Sequence, residues 1–109
     1  MQTIRLVVLL LLVGSSCLPQ GELRSVVGVV TDRKGNALPG AAVQLENTAS
    51  LLIMSNITGK DGRYQFNQLS GDVDYTLKAK YRNYWSQRKK LSKFNSSKHP
   101  EIDLVIPIE

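Results

Sequence analysis

The side chains best suited to chemistry lie between Tyr81 and Lys90, where Tyr81, Tyr84 and Trp85 interleave with Arg82, Arg88, Lys89 and Lys90. Aromatic faces stack on sugar rings, while guanidinium and ammonium groups attract carboxylate or phosphate. The segment belongs to a longer basic tract. No Asp or Glu occurs from Tyr75 to Pro100, whereas Lys78, Lys80, Lys93 and Lys98 join the cations already named. With a net charge of +5 over 109 residues, this half of the chain carries a basic face. Two uses fit it: a rim that holds a glycan or another anionic envelope polymer, or a solvated edge in which Tyr84 or Trp85 packs against the end of the domain.

The other reactive residues do not assemble into known catalytic sets. A zinc site needs three or four ligands from His, Cys, Asp and Glu, but His99 is the only histidine and Cys17 the only cysteine. His99 precedes Pro100 in a polar stretch and reads as an exposed, solvated ring. A serine nucleophile would need that same imidazole as its base. Asp72 and Asp74 flank a strand entry, where short carboxylates commonly bond turn backbone. Gly59-Lys60-Asp61-Gly62 lacks both the repeated acidic ligands of a calcium loop and the Gly-Lys-Ser/Thr of a phosphate loop. No catalytic residue, metal or cofactor is therefore expected. Asn56-Ile57-Thr58 and Asn95-Ser96-Ser97 match the N-glycosylation tripeptide, which matters only in a eukaryotic secretory pathway.

The N-terminus speaks to compartment. Met1 to Arg5 carries one positive charge, Leu6 to Val13 is unbroken Leu and Val, and Gly14-Ser15-Ser16 supplies small residues. This is the three-part pattern of a cleaved signal peptide over residues 1–20. Its apolar run is about half of the ~20 residues that span a bilayer. Cys17 stands where bacterial lipoproteins carry their lipidated cysteine, although Gly14 occupies the position that such motifs fill with Leu. Lipidation at Cys17 and an unmodified residue near the cleavage site are the two readings. The expected product is secreted, or lies in the periplasm or cell envelope, with no transmembrane span. A compartment of that kind rarely offers nucleic acid. A lone cysteine cannot form an internal disulfide, so stability must come from a packed core.

Residues 21–109 read as one all-β domain. Strands are expected at Ser25–Thr31, Ala41–Asn47, Leu51–Thr58, Arg63–Leu69, Tyr75–Arg82, Tyr84–Leu91 and Glu101–Ile108. Ala41, Val43 and Leu45 alternate with Ala42, Gln44 and Glu46, so one face of that strand is apolar. Tyr75, Leu77, Ala79 and Tyr81 alternate equally well with Thr76, Lys78, Lys80 and Arg82. Gly28, inside an otherwise β-branched strand, indicates a bulge or a close backbone approach. Asp61-Gly62 predicts a hairpin into Tyr64 and Phe66. Leu51 to Thr58 is apolar on both faces near its start. Tyr84–Leu91 reads as a polar strand near an edge, where its charges oppose further pairing, and a monomer is expected. Phe94 is the candidate anchor for the loop from Ser92 to Pro100. Seven strands with frequent turns make an antiparallel β-sandwich.

The spacing Val26-x-Gly28-x-Val30-x-Asp32-x-x-Gly35-x-x-Leu38-Pro39-Gly40-Ala41-x-Val43-x-Leu45 resembles the opening of the carboxypeptidase regulatory-like domain. Thr58-x-x-x-Gly62-x-Tyr64-x-Phe66-x-x-Leu69 resembles its middle, and Tyr75-x-Leu77-x-Ala79 its last recognisable strand. The resemblance implies a seven-stranded, transthyretin-like Greek-key sandwich. Such domains serve as accessory modules beside catalytic domains, in outer-membrane receptors and on extracellular proteins; the family name does not imply peptidase activity. Where members often place Gly and an aromatic, this chain has Tyr81-Arg82-Asn83-Tyr84-Trp85. The expected function is a non-catalytic structural or interaction module. The alternatives are a carbohydrate-binding module using the rim at Tyr81–Lys90, and an accessory subunit of a peptidase or glycosidase acting in trans. The expected partners are thus a glycan, an anionic polymer or another exported protein.

Overall fold

The computed structural model describes residues 23–109. The expected signal peptide over residues 1–20 and Cys17 lie outside the described residues. The strands are β1 (Leu23–Thr31), β2 (Ala42–Asn47), β3 (Ile53–Ile57), β4 (Arg63–Ser70), β5 (Tyr75–Tyr81), β6 (Tyr84–Trp85), β7 (Lys89–Leu91) and β8 (Leu104–Val105). They form two sheets, one ordered β4-β1-β8 and one ordered β3-β2-β5, with β6 and β7 both pairing with the far edge of β5. The domain is the all-β sandwich expected. Counting β6 and β7 as halves of one interrupted strand recovers the expected seven.

The alternation in β2 and β5 decides the core. Val43 lies opposite Ala79 and Leu45 opposite Leu77, and all four are buried. From the other sheet, Val26, Val30, Tyr64, Phe66 and Leu69 close over them. Full burial of one such Leu or Val contributes roughly 1.5–3 kcal/mol. Phe66 and Leu69 both point inward although they are three positions apart, an odd spacing that regular alternation would place on opposite faces. The register slips there: Arg24 faces Leu69 while Val26 faces Phe66, so β4 carries one residue more than β1. Gln68, at φ 58°, takes up the extra residue as a bulge.

Gly28 marks a close approach. The segment after Pro100 runs alongside β1 in the same direction: Val27 N–H donates to the Pro100 carbonyl, Ile102 N–H to the Val27 carbonyl and Ile106 N–H to the Thr31 carbonyl. This closing pair, Val30 with Leu104 and Thr31 with Val105, is parallel, where the sequence suggested antiparallel strands throughout. The expected strand Glu101–Ile108 shortens to Leu104–Val105, with an isolated bridge at Glu101. A Cβ on Gly28 would overlap the Ile102 carbonyl oxygen and lie 2.7 Å from the Tyr64 ring. The Tyr64 hydroxyl donates to that same carbonyl. Burial, with the Asp103 and Glu101 charges adding to it, holds this hydroxyl protonated well above the ordinary tyrosine range.

Several local features depart from the sequence reading. Residues 58–62 do not join a hairpin, because β3 and β4 lie in different sheets. They form a tight crossing in which Gly59 N–H donates to Arg63 C=O and Gly62, at φ 75°, carries its N–H to Gly59 C=O. The buried Thr58 hydroxyl donates to Leu38 C=O and accepts from Ala41 N–H, binding the Leu38–Ala41 bridge to the crossing. Phe94 is not an anchor, since it is 84% exposed. The loop is held instead by Ser25 N–H on the Lys98 carbonyl and by a 2.7 Å hydrogen bond between Ser25 Oγ and His99 Nδ1. His99 is exposed, as expected, yet its ring is bonded. Arg24, buried at the start of β1, donates to the carbonyls of Ser92 (2.8 Å) and Val73 (2.9 Å).

Gly28→Ala must displace the C-terminal segment or the Tyr64 ring. The expected cost is about 3 kcal/mol, read as a fall in the urea midpoint with unchanged slope. A variant as stable as the parent would show that the two strands can separate freely.

Candidate functional site

The basic aromatic segment forms the margin of the five-stranded sheet. β5 turns into β6 through Arg82 (φ 54°) and Asn83 (φ 80°). Two consecutive left-handed residues make the two-residue turn that matches strand twist. This turn sets Tyr81 opposite Tyr84 and Lys80 opposite Trp85. Trp85 therefore shares the solvent-side face of Lys78 and Lys80. The Lys78 ammonium lies 4.4 Å and the Lys80 ammonium 5.5 Å from the indole centroid, contacts worth about 0.5–1 kcal/mol each at exposed positions. Trp85 remains 40% exposed.

Beyond Trp85 the ladder breaks. Ser86, buried, donates its N–H to Ala79 C=O, while its Oγ accepts the Ala79 N–H at 2.9 Å. Pairing resumes with Leu77 opposite Lys89 and Tyr75 opposite Leu91. The register gains one residue in between, so Gln87 and Arg88 form a bulge. A bulge re-aims the side chains after it. Leu91 is thereby buried with Tyr75, and Lys89 shares the strand face of Leu77 but overhangs the sheet margin. Across the gap stands the margin of the other sheet. A cleft of about 320 Å³ lies between the two, lined by Arg33, Trp85, Gln87, Lys89, Val105 and Pro107.

The seven residues singled out from the sequence thus divide. Trp85 and Lys89 line the cleft. Arg88 borders a small recess on the outer face of the sheet with Gln44, Glu46, Ile53, Thr76 and Lys78. The Arg82 guanidinium lies 5.2 Å from the Tyr81 ring centroid, and with exposed Tyr84 these two form the tip of the β5–β6 hairpin. Lys90 faces away, 3.7 Å from Asp74. Sequence reasoning missed Arg33, Gln87, Val105 and Pro107. Arg33 lies in the turn after β1, and only the parallel closure of β8 brings Val105 and Pro107 to the same gap. Lys78 and Lys80 were visible as the polar half of the β5 alternation.

The acidic residues shape turns. Asp32 accepts N–H bonds from Lys34 and Asn36, each 2.9 Å, and a third from the Asn36 side chain. The backbone bond from Asn36 is the main reason its carboxyl titrates below the ordinary value, and burial partly opposes it. Asp74 accepts the Lys93 N–H at 2.6 Å. That bond chiefly lowers its pKa, with the Lys90 and Lys93 charges assisting. Among the described residues no group of three or more His, Cys, Asp or Glu is placed to hold a metal ion, and no helix is long and apolar enough to cross a membrane.

Two sheets in this strand order define a β-sandwich module. The profile of the carboxypeptidase regulatory-like domain matches residues 25–106, and the chain belongs to that family. Among curated proteins none matches the sequence. Similar solved structures include the shaft pilin SpaA from Lactobacillus rhamnosus GG, at 12% identity and TM-score 0.55, over 81% of this chain and 47% of the pilin. The dioxygenase domain of a dioxygenase–carbohydrate-binding fusion from a cellulolytic Streptomyces is 17% identical at TM-score 0.58, covering 90% and 86%. A Pseudomonas aeruginosa protein provisionally described as carbohydrate-binding is 14% identical at TM-score 0.56, covering 83% and 92%. This chain thus spans about half of the pilin. At these identities the likeness establishes fold alone, since the same fold serves a shaft pilin and a dioxygenase domain.

The two depressed carboxyls predict the acid response. Each has a folded pKa below its unfolded value of about 3.9, so its contribution is complete above about pH 4 and is lost as pH falls through the folded value. Asp32→Asn combined with Asp74→Asn should lower the melting temperature at pH 6 and flatten its decline between about pH 4 and pH 2. An unchanged slope in that window would remove these groups from the account of acid unfolding.

Proposed function

We propose that this chain is an exported, non-catalytic interaction module of the cell envelope or extracellular space, and that its open side binds an acidic polysaccharide. One observation carries the reading: Trp85 remains exposed at a cleft that also presents Arg33, Gln87 and Lys89, with Lys78 and Lys80 against the indole. An aromatic surface takes the apolar face of a sugar ring, the Gln87 amide can bond hydroxyls, and the cations neutralise carboxylates or sulfates. The cleft is open rather than enclosed, as a polymer passing through it requires. Export rests on the leader-like residues 1–20. The fold shared with the Pseudomonas protein supports the binding reading but does not choose the ligand.

Isothermal titration against a panel of acidic and neutral polysaccharides tests this. Binding is expected for acidic polymers, weakening as salt is raised through the Debye range. Trp85→Ala should weaken it at least tenfold, about 1.4 kcal/mol, and Lys89→Gln by a smaller factor. Lys90→Gln should have little effect, because Lys90 faces Asp74. No binding across the panel, or binding indifferent to Trp85→Ala, would leave the module with a structural role alone.

A further inference from the structure

The opposite margin of the same sheet is built differently. Leu51, Leu52, Ile53, Met54 and Ile57 are all exposed, with Ile53 at 56% and Ile57 at 64%. The sequence places no charged residue from Thr48 to Gly59. An edge strand ordinarily carries charge, proline, a bulge or a cover against further pairing. The other margins have such devices. β7 and the bulge before it present Arg88, Lys89 and Lys90. β4 carries Arg63 and the Gln68 bulge, and the Asn56 amide bonds its Gln65 carbonyl. β8 is only two residues long. β3 has none of them.

The phase of β3 shows which backbone groups are free. Asn47 N–H donates to Leu52 C=O and Thr58 N–H to Ala41 C=O. Together with the register of Met54 on Leu45 and Asn56 on Val43, this assigns Leu52, Met54, Asn56 and Thr58 to the bonds with β2. Ile53, Ser55 and Ile57 therefore turn their N–H and C=O groups outward.

We propose that β3 pairs with β3 of a second copy of this chain, antiparallel, about a two-fold axis at Ser55. The spacing is self-complementary. With Ser55 opposite Ser55 of the partner subunit, Ile53 faces Ile57 of the partner subunit and Ile57 faces Ile53 of the partner subunit. All three outward N–H and C=O pairs of each strand then find partners. The two Ile–Ile pairs cover one another on a single sheet face. Charge selects this partner edge over the others. No charged residue lies between Thr48 and Gly59, whereas the β7 margin offers Arg88, Lys89 and Lys90, which would repel a second copy of the same margin. Same-edge pairing closes as a dimer, whereas β3 on another edge would propagate into a filament. One short strand per copy buries far less than the ~1,600 Å² of a standard interface, so the dimer is a concentration-dependent one.

Sedimentation velocity on the form of the chain that accumulates in the producing cell should show a reversible monomer–dimer equilibrium. Ser55→Pro removes one outward N–H and leaves the β2 ladder intact, and should raise the dimer dissociation constant at least tenfold. If that variant fails to fold by circular dichroism, Ile57→Lys provides the same readout. Position is tested independently in a Cys17→Ser background. Residues opposite one another lie about 5.5 Å apart, so Ser55→Cys should link to its twin with a short bis-maleimide, while Ile53→Cys, two pairs removed from the axis, should not. A species that stays monomeric to millimolar concentration overturns the proposal. So does a dimer insensitive to both edge variants, a series that grows into filaments, or a monomer whose β3 amides are protected from exchange by residues 1–22.

Discussion

At Gly28 the backbone of β1 comes so close to the carbonyl of Ile102 that a Cβ would overlap it, and much else depends on this approach. Because no Cβ intervenes, the C-terminal segment can lie flat against β1 and exchange hydrogen bonds with it from Val27 to Thr31. That places Leu104 and Ile106 in the core and leaves Val105 and Pro107 on the outside, where they wall the cleft opposite Trp85. The Tyr64 hydroxyl bonds the same carbonyl, so β4, on the other side of β1 in the same sheet, also holds the close approach. A glycine some distance from the site thus determines that a cleft exists on this margin.

The second wall depends on a side chain replacing backbone. In a regular ladder the residues after Ser86 would continue the register of β6, and Leu91 would face solvent. Ser86 supplies Oγ to the Ala79 N–H, the chain gains a residue at Gln87–Arg88, and pairing resumes one step out of phase. Leu91 becomes core and Lys89 moves toward the other sheet. A buried unpaired N–H would cost about 1–3 kcal/mol, so Ser86 offsets the penalty that the interruption would otherwise carry.

The sequence was most legible where one periodicity met one buried face. Ala41, Val43 and Leu45, and likewise Tyr75, Leu77 and Ala79, occupy the inner positions that their alternation assigns. The family spacing also has visible causes: Asp32 and Gly35 shape one turn, Thr58 and Gly62 the crossing, and Gly28 the close approach. Alternation reports only that a strand has two faces. It does not report whether the opposing sheet extends over one of them. Leu51 to Thr58, apolar on both faces near its start, lies at a margin where Leu51, Leu52, Ile53, Met54 and Ile57 are all exposed. The rim was legible as composition but not as a site, because Arg33, Val105 and Pro107 reach it only through the parallel closure, and Lys90 is drawn away by Asp74.

The two distinctive margins lie at opposite ends of one sheet, in the order β3-β2-β5 and then β6 with β7. Their chemistries are opposed: one is uncharged and apolar, the other cationic and aromatic. Pairing through β3 would extend the sheet on the side away from Trp85 and leave both clefts at the outer margins, unobstructed and related by the two-fold axis. A weak single-cleft affinity for a repeating polymer would then be multiplied, since the second cleft would bind at an effective concentration set by the rigid sheet rather than by free diffusion. If both proposals hold, the uncharged edge and the open cleft serve one arrangement, in which the edge joins two copies and the two clefts engage one polymer at two points.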